Sequence, residues 1–217
     1  KEIAMDETRL FRFLNTTQAD KMKQLRLEND PLEKEKFLQR LDQSLHTNGV
    51  IDLLRKGFRY KHLVLDMFYV RPSPGNETAA KLYAQNIFSV TRQLQYSRQN
   101  PLLALDVCLF LNGLPIATME LKNQLTKQNA ADAVKQYKDE RTPDEVLFGF
   151  KRCIVHFAVD DNEVRMCTEL KGQKSWFLPF NKGYNDGAGN PPNPDGIKTD
   201  YLWKEILRKD DFSNIIE

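Results

Sequence analysis

The chain has 217 residues, with 32 basic and 30 acidic side chains and a net charge of +2. Its 41% hydrophobic and 29% charged content is that of a soluble globular domain, and excludes a disordered chain, which has fewer apolar residues and a more one-sided charge. No apolar run approaches the roughly 18 residues of a membrane helix, and the strong basic excess common in nucleic-acid binders is missing.

The N-terminal Lys-Glu-Ile-Ala carries no apolar signal segment, so a cytoplasmic location is expected. The first residue is not Met, and a fragment of a longer chain is expected. Cys108, Cys153 and Cys167 lie in apolar stretches without C-x-x-C spacing. They read as reduced core thiols rather than zinc ligands or a disulfide framework.

The neutral total hides a local excess. Residues 51–100 carry eight basic and three acidic side chains, and residues 101–150 carry five and seven. Arg55, Lys56, Arg59 and Lys61 interleave with Phe58 and Tyr60. This is either a solvated face or a stripe that contacts DNA phosphates.

Along the chain, residues 6–28 are polar with weak helical order. Asp30-Pro31 with Glu33 marks a helix start, and Phe37, Leu38, Leu41 and Leu45 give its apolar face. Residues 58–70 suggest a strand region broken by Pro72, Pro74 and Gly75. Asn76 caps a short helix through Tyr83. Strands are expected over 86–96, 102–111 and 115–121, with Asn112-Gly113 as a hairpin signal. A helix follows over 129–140, with Ala130, Ala133, Val134 and Tyr137 on one face. A second hairpin joins 153–159 to 164–167. Residues 181–198, rich in Gly, Pro and Asn, are expected to be a loop.

One group of residues carries chemistry. Asp106 stands alone in an apolar strand, where a carboxylate is costly unless paired or bound to a cation. Glu120 and Lys122 end the next strand and share parity, so they point to one face, with Leu121 directed into the core. A two-residue Asn-Gly loop would set Asp106 opposite Met119 and send Glu120 to the wrong face. Pairing Asp106 with Glu120 requires an odd register, from a three-residue loop Asn112–Leu114 or from a bulge. In that register two oxygen ligands could hold Mg²⁺, with the Leu121 carbonyl as a third, while Lys122 positions water or offsets phosphoryl charge. The plain alternative is a buried structural ion pair.

Asp106 followed by Glu120-Leu121-Lys122 resembles the PD-(D/E)xK nuclease motif, with Leu105 in place of its proline. Asn86-Ile87 through Leu94, the run Leu105 to Ile116, Glu120 to Asn123 and Asp132 to Lys138 resemble the N-terminal nuclease domain of the restriction (R) subunit of type I restriction-modification enzymes. The resemblance covers about residues 35–210. It implies an α/β fold with a RecB-like, restriction-endonuclease-like core: a central mixed sheet flanked by helices, with a helical extension over 1–50, the core over 51–180, and a loop and linker start over 181–217. It implies Mg²⁺-dependent cutting of double-stranded DNA, with Mn²⁺ as a substitute. It also implies an ATP-driven motor in cis, and methylation and specificity subunits as partners. Gly196-Ile197-Lys198-Thr199 lacks the Gly-Lys step of a phosphate loop, so no ATP site is expected in this chain.

Many relatives carry Q-x-x-x-Y on the helix after the Lys strand. Here Tyr137 follows Ala133 by four residues and Gln136 precedes Glu140 by four, so Gln136 and Tyr137 are displaced candidates for that role, with core packing the alternative for Tyr137. Glu77 is a candidate upstream acidic ligand. His156 reads as a packed core residue. Two other readings stay open: a repair or recombination nuclease of the same superfamily, and a degenerate, non-cutting DNA-binding or assembly module.

Overall fold

Capping residues start the helices where the sequence signals them. The computed structural model describes residues 3–123, 125 and 127–217. Four helices come first: α1 (Glu7–Thr17), α2 (Ala19–Leu25), α3 (Pro31–Asn48) and α4 (Val50–Lys56). The Asp30 side chain accepts from the Glu33 amide at 3.0 Å, and Pro31 occupies the first turn of α3, where its missing N–H costs nothing. A short hairpin, β1 (Phe58–Tyr60) and β2 (Leu63–Leu65), follows, then α5 (Glu77–Ala84), capped by Asn76.

Residues 66–70 do not extend the expected strand. Two asparagines hold this segment instead. Asn112 Nδ2 donates to the Met67 carbonyl at 2.8 Å, and Asn86 exchanges bonds with both backbone groups of Tyr69.

The main sheet has six strands in sequential order: β3 (Phe88–Gln95), β4 (Ala104–Leu111), β5 (Leu114–Leu121), β6 (Val155–Val159), β7 (Val164–Cys167) and β8 (Leu178–Pro179). Every pairing is antiparallel except β5–β6, so the sheet is mixed. The parallel pair needs a crossover, which α6 (Ala130–Glu140) supplies after a capping box formed by Asn129 and Asp132. The architecture is α/β, with helices flanking a mixed sheet and a helical N-terminal region.

The core has three parts. Leu10, Phe13, Phe37, Leu41, Leu45 and Leu53 of the N-terminal helices pack on Leu111, Leu114 and Ile116 at the turn end of the β4–β5 hairpin. The Ala133 and Tyr137 face of α6 packs on Cys108, Phe110, Phe148 and Ala158. On the opposite face, Tyr201 and Leu202 cover Met119, Phe157 and Val164. Residues 181–217, expected as a loop and linker start, include a final helix, α7 (Lys209–Ile216), whose Phe212 and Ile216 join the first cluster.

The β4–β5 hairpin sets the register of the carboxylates. Its turn is the two-residue form: Leu111 pairs with Leu114, and Asn112 and Gly113 both have positive φ, +51° and +84°. A three-residue loop is therefore not used. The ladder shifts between Phe110, opposite Pro115, and Leu109, opposite Ala117. Ile116 is the extra residue of a bulge, and its carbonyl accepts from the Ile154 amide at 2.9 Å. Beyond the bulge, Cys108 pairs with Thr118 and Val107 with Met119, and the next step sets Asp106 opposite Glu120.

Candidate active site

Asp106 lies at the open end of the hairpin and is half-buried, while Glu120 is 1% exposed. Asp106 Oδ2 accepts from the Leu121 amide at 2.9 Å, and Oδ1 accepts from Gln93 Nε2 at 3.0 Å. Thus the N–H of Leu121 is the atom of that residue that meets Asp106. The Leu121 side chain is 41% exposed, contrary to the expectation that it points into the core. It is the last residue of β5, two residues beyond Met119 on the same face, and lies outside the cluster that covers Met119.

Glu120 faces α6. Its Oε1 accepts from Arg141 Nε at 2.7 Å, and Oε2 is buried with no hydrogen-bond partner. Arg141, just past the end of α6, is also 1% exposed. It donates to the Tyr96 hydroxyl at 2.9 Å, the Ala104 carbonyl at 3.0 Å and Glu140 at 3.2 Å, and its guanidinium lies over the Tyr96 ring. Burial pushes the Glu120 carboxyl up to about 7; Arg141 opposes that rise and the neighbouring Asp106 adds to it.

Lys122 projects to the same side as Glu120 and donates from Nζ to Gln136 Oε1 at 2.6 Å, and Gln136 Nε2 reaches Glu140 at 3.4 Å. Gln136 therefore meets the site despite its displaced position. Tyr137, one residue on, turns into the core. Its hydroxyl bonds Thr118 Oγ1 at 2.8 Å, which in turn meets His156 Nδ1 at 2.7 Å. Burial lowers His156 to about 3, so the ring is neutral, a packed core residue as its sequence context indicated.

The remaining candidates lie elsewhere. Arg55, Lys56, Arg59 and Lys61 sit on α4 and the β1–β2 hairpin, whose Phe58 and Tyr60 pack with Leu111 and Leu114 at the turn end. Five strand residues, about 17 Å, separate Leu111 from Asp106. Phe58 and Tyr60 turn into the core, so they offer no stacking surface. All four are exposed, but Arg55 Nε donates to the Ile216 carbonyl at 2.6 Å, Lys56 pairs with Asp52 and Lys61 with Glu33, which leaves Arg59 as the one whose side chain has no described bond or ion pair. Glu77 is exposed in the first turn of α5, and no described bond links it to Asp106, Glu120 or Lys122.

Sequence reasoning missed Arg141, Tyr96 and Gln93. Arg141 had a signal: it follows Ala133 and Tyr137 at four-residue steps and so continues their buried face. Gln93 had none, because its contact depends on a left-handed backbone, φ +49°, inside a strand.

Among the described residues no helix is long and apolar enough to cross a membrane, and no cluster of three or more His, Cys, Asp or Glu is placed to hold a metal. The site offers two carboxylates and neighbouring backbone. No curated protein matches the chain. The family model described as type I restriction enzyme R protein N terminus matches residues 15–175, about three quarters of the chain. By that match, the chain belongs to the family of type I restriction enzyme R protein N-terminal domains.

Proposed function

We propose that this chain is the endonuclease domain of a type I restriction R subunit and hydrolyses phosphodiester bonds of unmodified double-stranded DNA at Asp106, Glu120 and Lys122. One observation carries the reading: Glu120 Oε2, buried and without a donor, lies on the strand beside Asp106. A buried carboxylate oxygen without a partner is costly, and a hard cation removes that cost. The donors are all oxygen, which suits Mg²⁺, with Mn²⁺ as a substitute. Two carboxylates and the Leu121 carbonyl are few ligands, but Mg²⁺ keeps several waters and takes others from substrate phosphate.

When bound, the cation would polarise the phosphate and lower the pKa of a bound water. The protein's share is positional. Arg141 holds Glu120 Oε1, Leu121 N–H and Gln93 hold Asp106, and Gln136 keeps Lys122 close to them. Released toward substrate, the Lys122 ammonium offsets charge developing on the phosphoryl oxygens. In this reading a motor domain in cis consumes ATP to deliver DNA, and methylation and specificity subunits choose the target inside the bacterial cytoplasm.

A second reading, a non-cutting assembly module, has one observation in its favour: Arg141 already neutralises Glu120. Plasmid cleavage by the complete enzyme separates the two. Glu120→Ala and Lys122→Ala should abolish cleavage while ATP-driven translocation persists. Unchanged cleavage in both variants rejects the assigned site.

A further inference from the structure

Position 93 lies opposite Asp106, between the ladder pairs Arg92–Val107 and Leu94–Leu105, yet the ladder skips it. Gln93 has φ +49° inside an eight-residue strand. A residue with a Cβ enters that region only under strain and stays where its surroundings compel it. The kink brings Nε2 to 3.0 Å from Asp106 Oδ1. Gln93 itself is exposed and Asp106 is half-buried, so water could solvate this oxygen equally well. Satisfying a buried acceptor therefore does not account for the strained contact.

The contact does fix the carboxylate. Leu121 N–H holds Oδ2 and Gln93 holds Oδ1, so Asp106 is tied at both oxygens. Each oxygen keeps a further lone pair. Across three adjacent strands Gln93, Asp106 and Glu120 form one row, with the amide at its outer end. We infer that Gln93 is a positioning residue of the site, orienting Asp106 so that it and Glu120 present oxygens to one divalent cation. This rests on the nuclease reading above.

The test is Mn²⁺ binding to the 217-residue chain, followed by calorimetry and by the EPR signal of free Mn²⁺. Gln93→Gly keeps the left-handed backbone without strain and removes the amide. Gln93→Met keeps the length and removes both hydrogen-bonding atoms. Both should weaken Mn²⁺ binding by about tenfold, the lower end for losing a group that orients a ligand. Gln93→Gly should melt at or above the parent temperature, so the loss cannot be assigned to unfolding. Affinity within about twofold of the parent in both variants overturns the inference, and leaves Gln93 as a residue that only shapes the strand. A parent chain that binds no Mn²⁺, or an Asp106→Asn variant that binds it as well as the parent, overturns the nuclease reading first and the role of Gln93 with it.

Discussion

Arg141 Nε meets Glu120 Oε1 at 2.7 Å, and both side chains are 1% exposed. Removing one partner of such a pair leaves a buried charge without compensation, at a typical cost of about 3–5 kcal/mol. Arg141→Met should therefore lower stability by about that much at pH 8. Glu120→Gln added to Arg141→Met should recover most of the loss, because the carboxylate is then gone. Urea unfolding of the four proteins in a double-mutant cycle measures the coupling. Equal urea midpoints for Arg141→Met and the parent would show that the pair contributes nothing.

Stability in the absence of metal should depend on pH in a direction set by Glu120. Its folded pKa, about 7, lies above the ordinary 4.5 because burial disfavours the charged form. The folded state thus binds the proton more tightly than the unfolded state. Its contribution is full below pH 4.5 and is lost as pH rises through about 7, at about 1.4 kcal/mol per pKa unit. His156 acts in the other direction: with a folded pKa near 3, its contribution is present above 6.5 and is lost as pH falls. Thermal melts from pH 4 to 8 should show both limbs. Glu120→Gln should flatten the alkaline limb and leave the acid one. Mg²⁺ or Mn²⁺ should raise the melting temperature more at pH 8 than at pH 5, since protons compete for the same carboxylate.

The motif Asp106…Glu120-x-Lys122, the main strand segments and the two hairpins were legible because they depend on local patterns: alternation, an Asn-Gly turn, and charged residues in apolar runs. Register was legible only as a demand of the chemistry. The extra residue at Ile116 leaves no mark in composition, because either register buries an apolar side chain there. Arg141 was legible as a continuation of the buried face of α6 but not as the partner of Glu120, and Gln93 gave no signal at all. Each is ordinary at its own position and acquires its role from a partner on another element. The C-terminal helix was hidden too, because its apolar face, Phe212 and Ile216, spans only two turns.

Tyr137 should prove a stability residue rather than a catalytic one. Its hydroxyl shares a buried hydrogen bond with Thr118, which also meets His156. Tyr137→Phe should cost about 1–2 kcal/mol for the lost bond and leave Mn²⁺ affinity unchanged. Calorimetric Mn²⁺ titration beside a urea melt checks both. A large loss of Mn²⁺ binding with stability intact would move Tyr137 into the site.

The hairpin turn is a point of tight contact. Gly113 has φ +84°, its carbonyl accepts from the Asp6 amide at 2.8 Å, and a Cβ there would strike the Asp6 carbonyl and Leu10. Gly113→Ala should destabilise the protein by at least about 1–2 kcal/mol from the backbone alone. It should also loosen α1, seen as faster amide exchange over Glu7–Thr17 than in the parent.

The basic stripe is the remaining candidate for DNA contact, and its four members should separate. Arg55 is committed to the carbonyl of Ile216, Lys56 to Asp52 and Lys61 to Glu33, while Arg59 is exposed on β1 with no described ion pair. With a net charge of only +2, binding by the chain alone should be weak and strongly salt-dependent. Arg59→Ala should shallow the plot of log K against log salt by about 0.9, the value for one phosphate contact. Arg55→Ala should leave that slope unchanged and instead lower the melting temperature, because it releases α7. Fluorescence anisotropy on a short duplex across a salt series decides the matter: a slope unchanged by Arg59→Ala would place the DNA path away from the stripe.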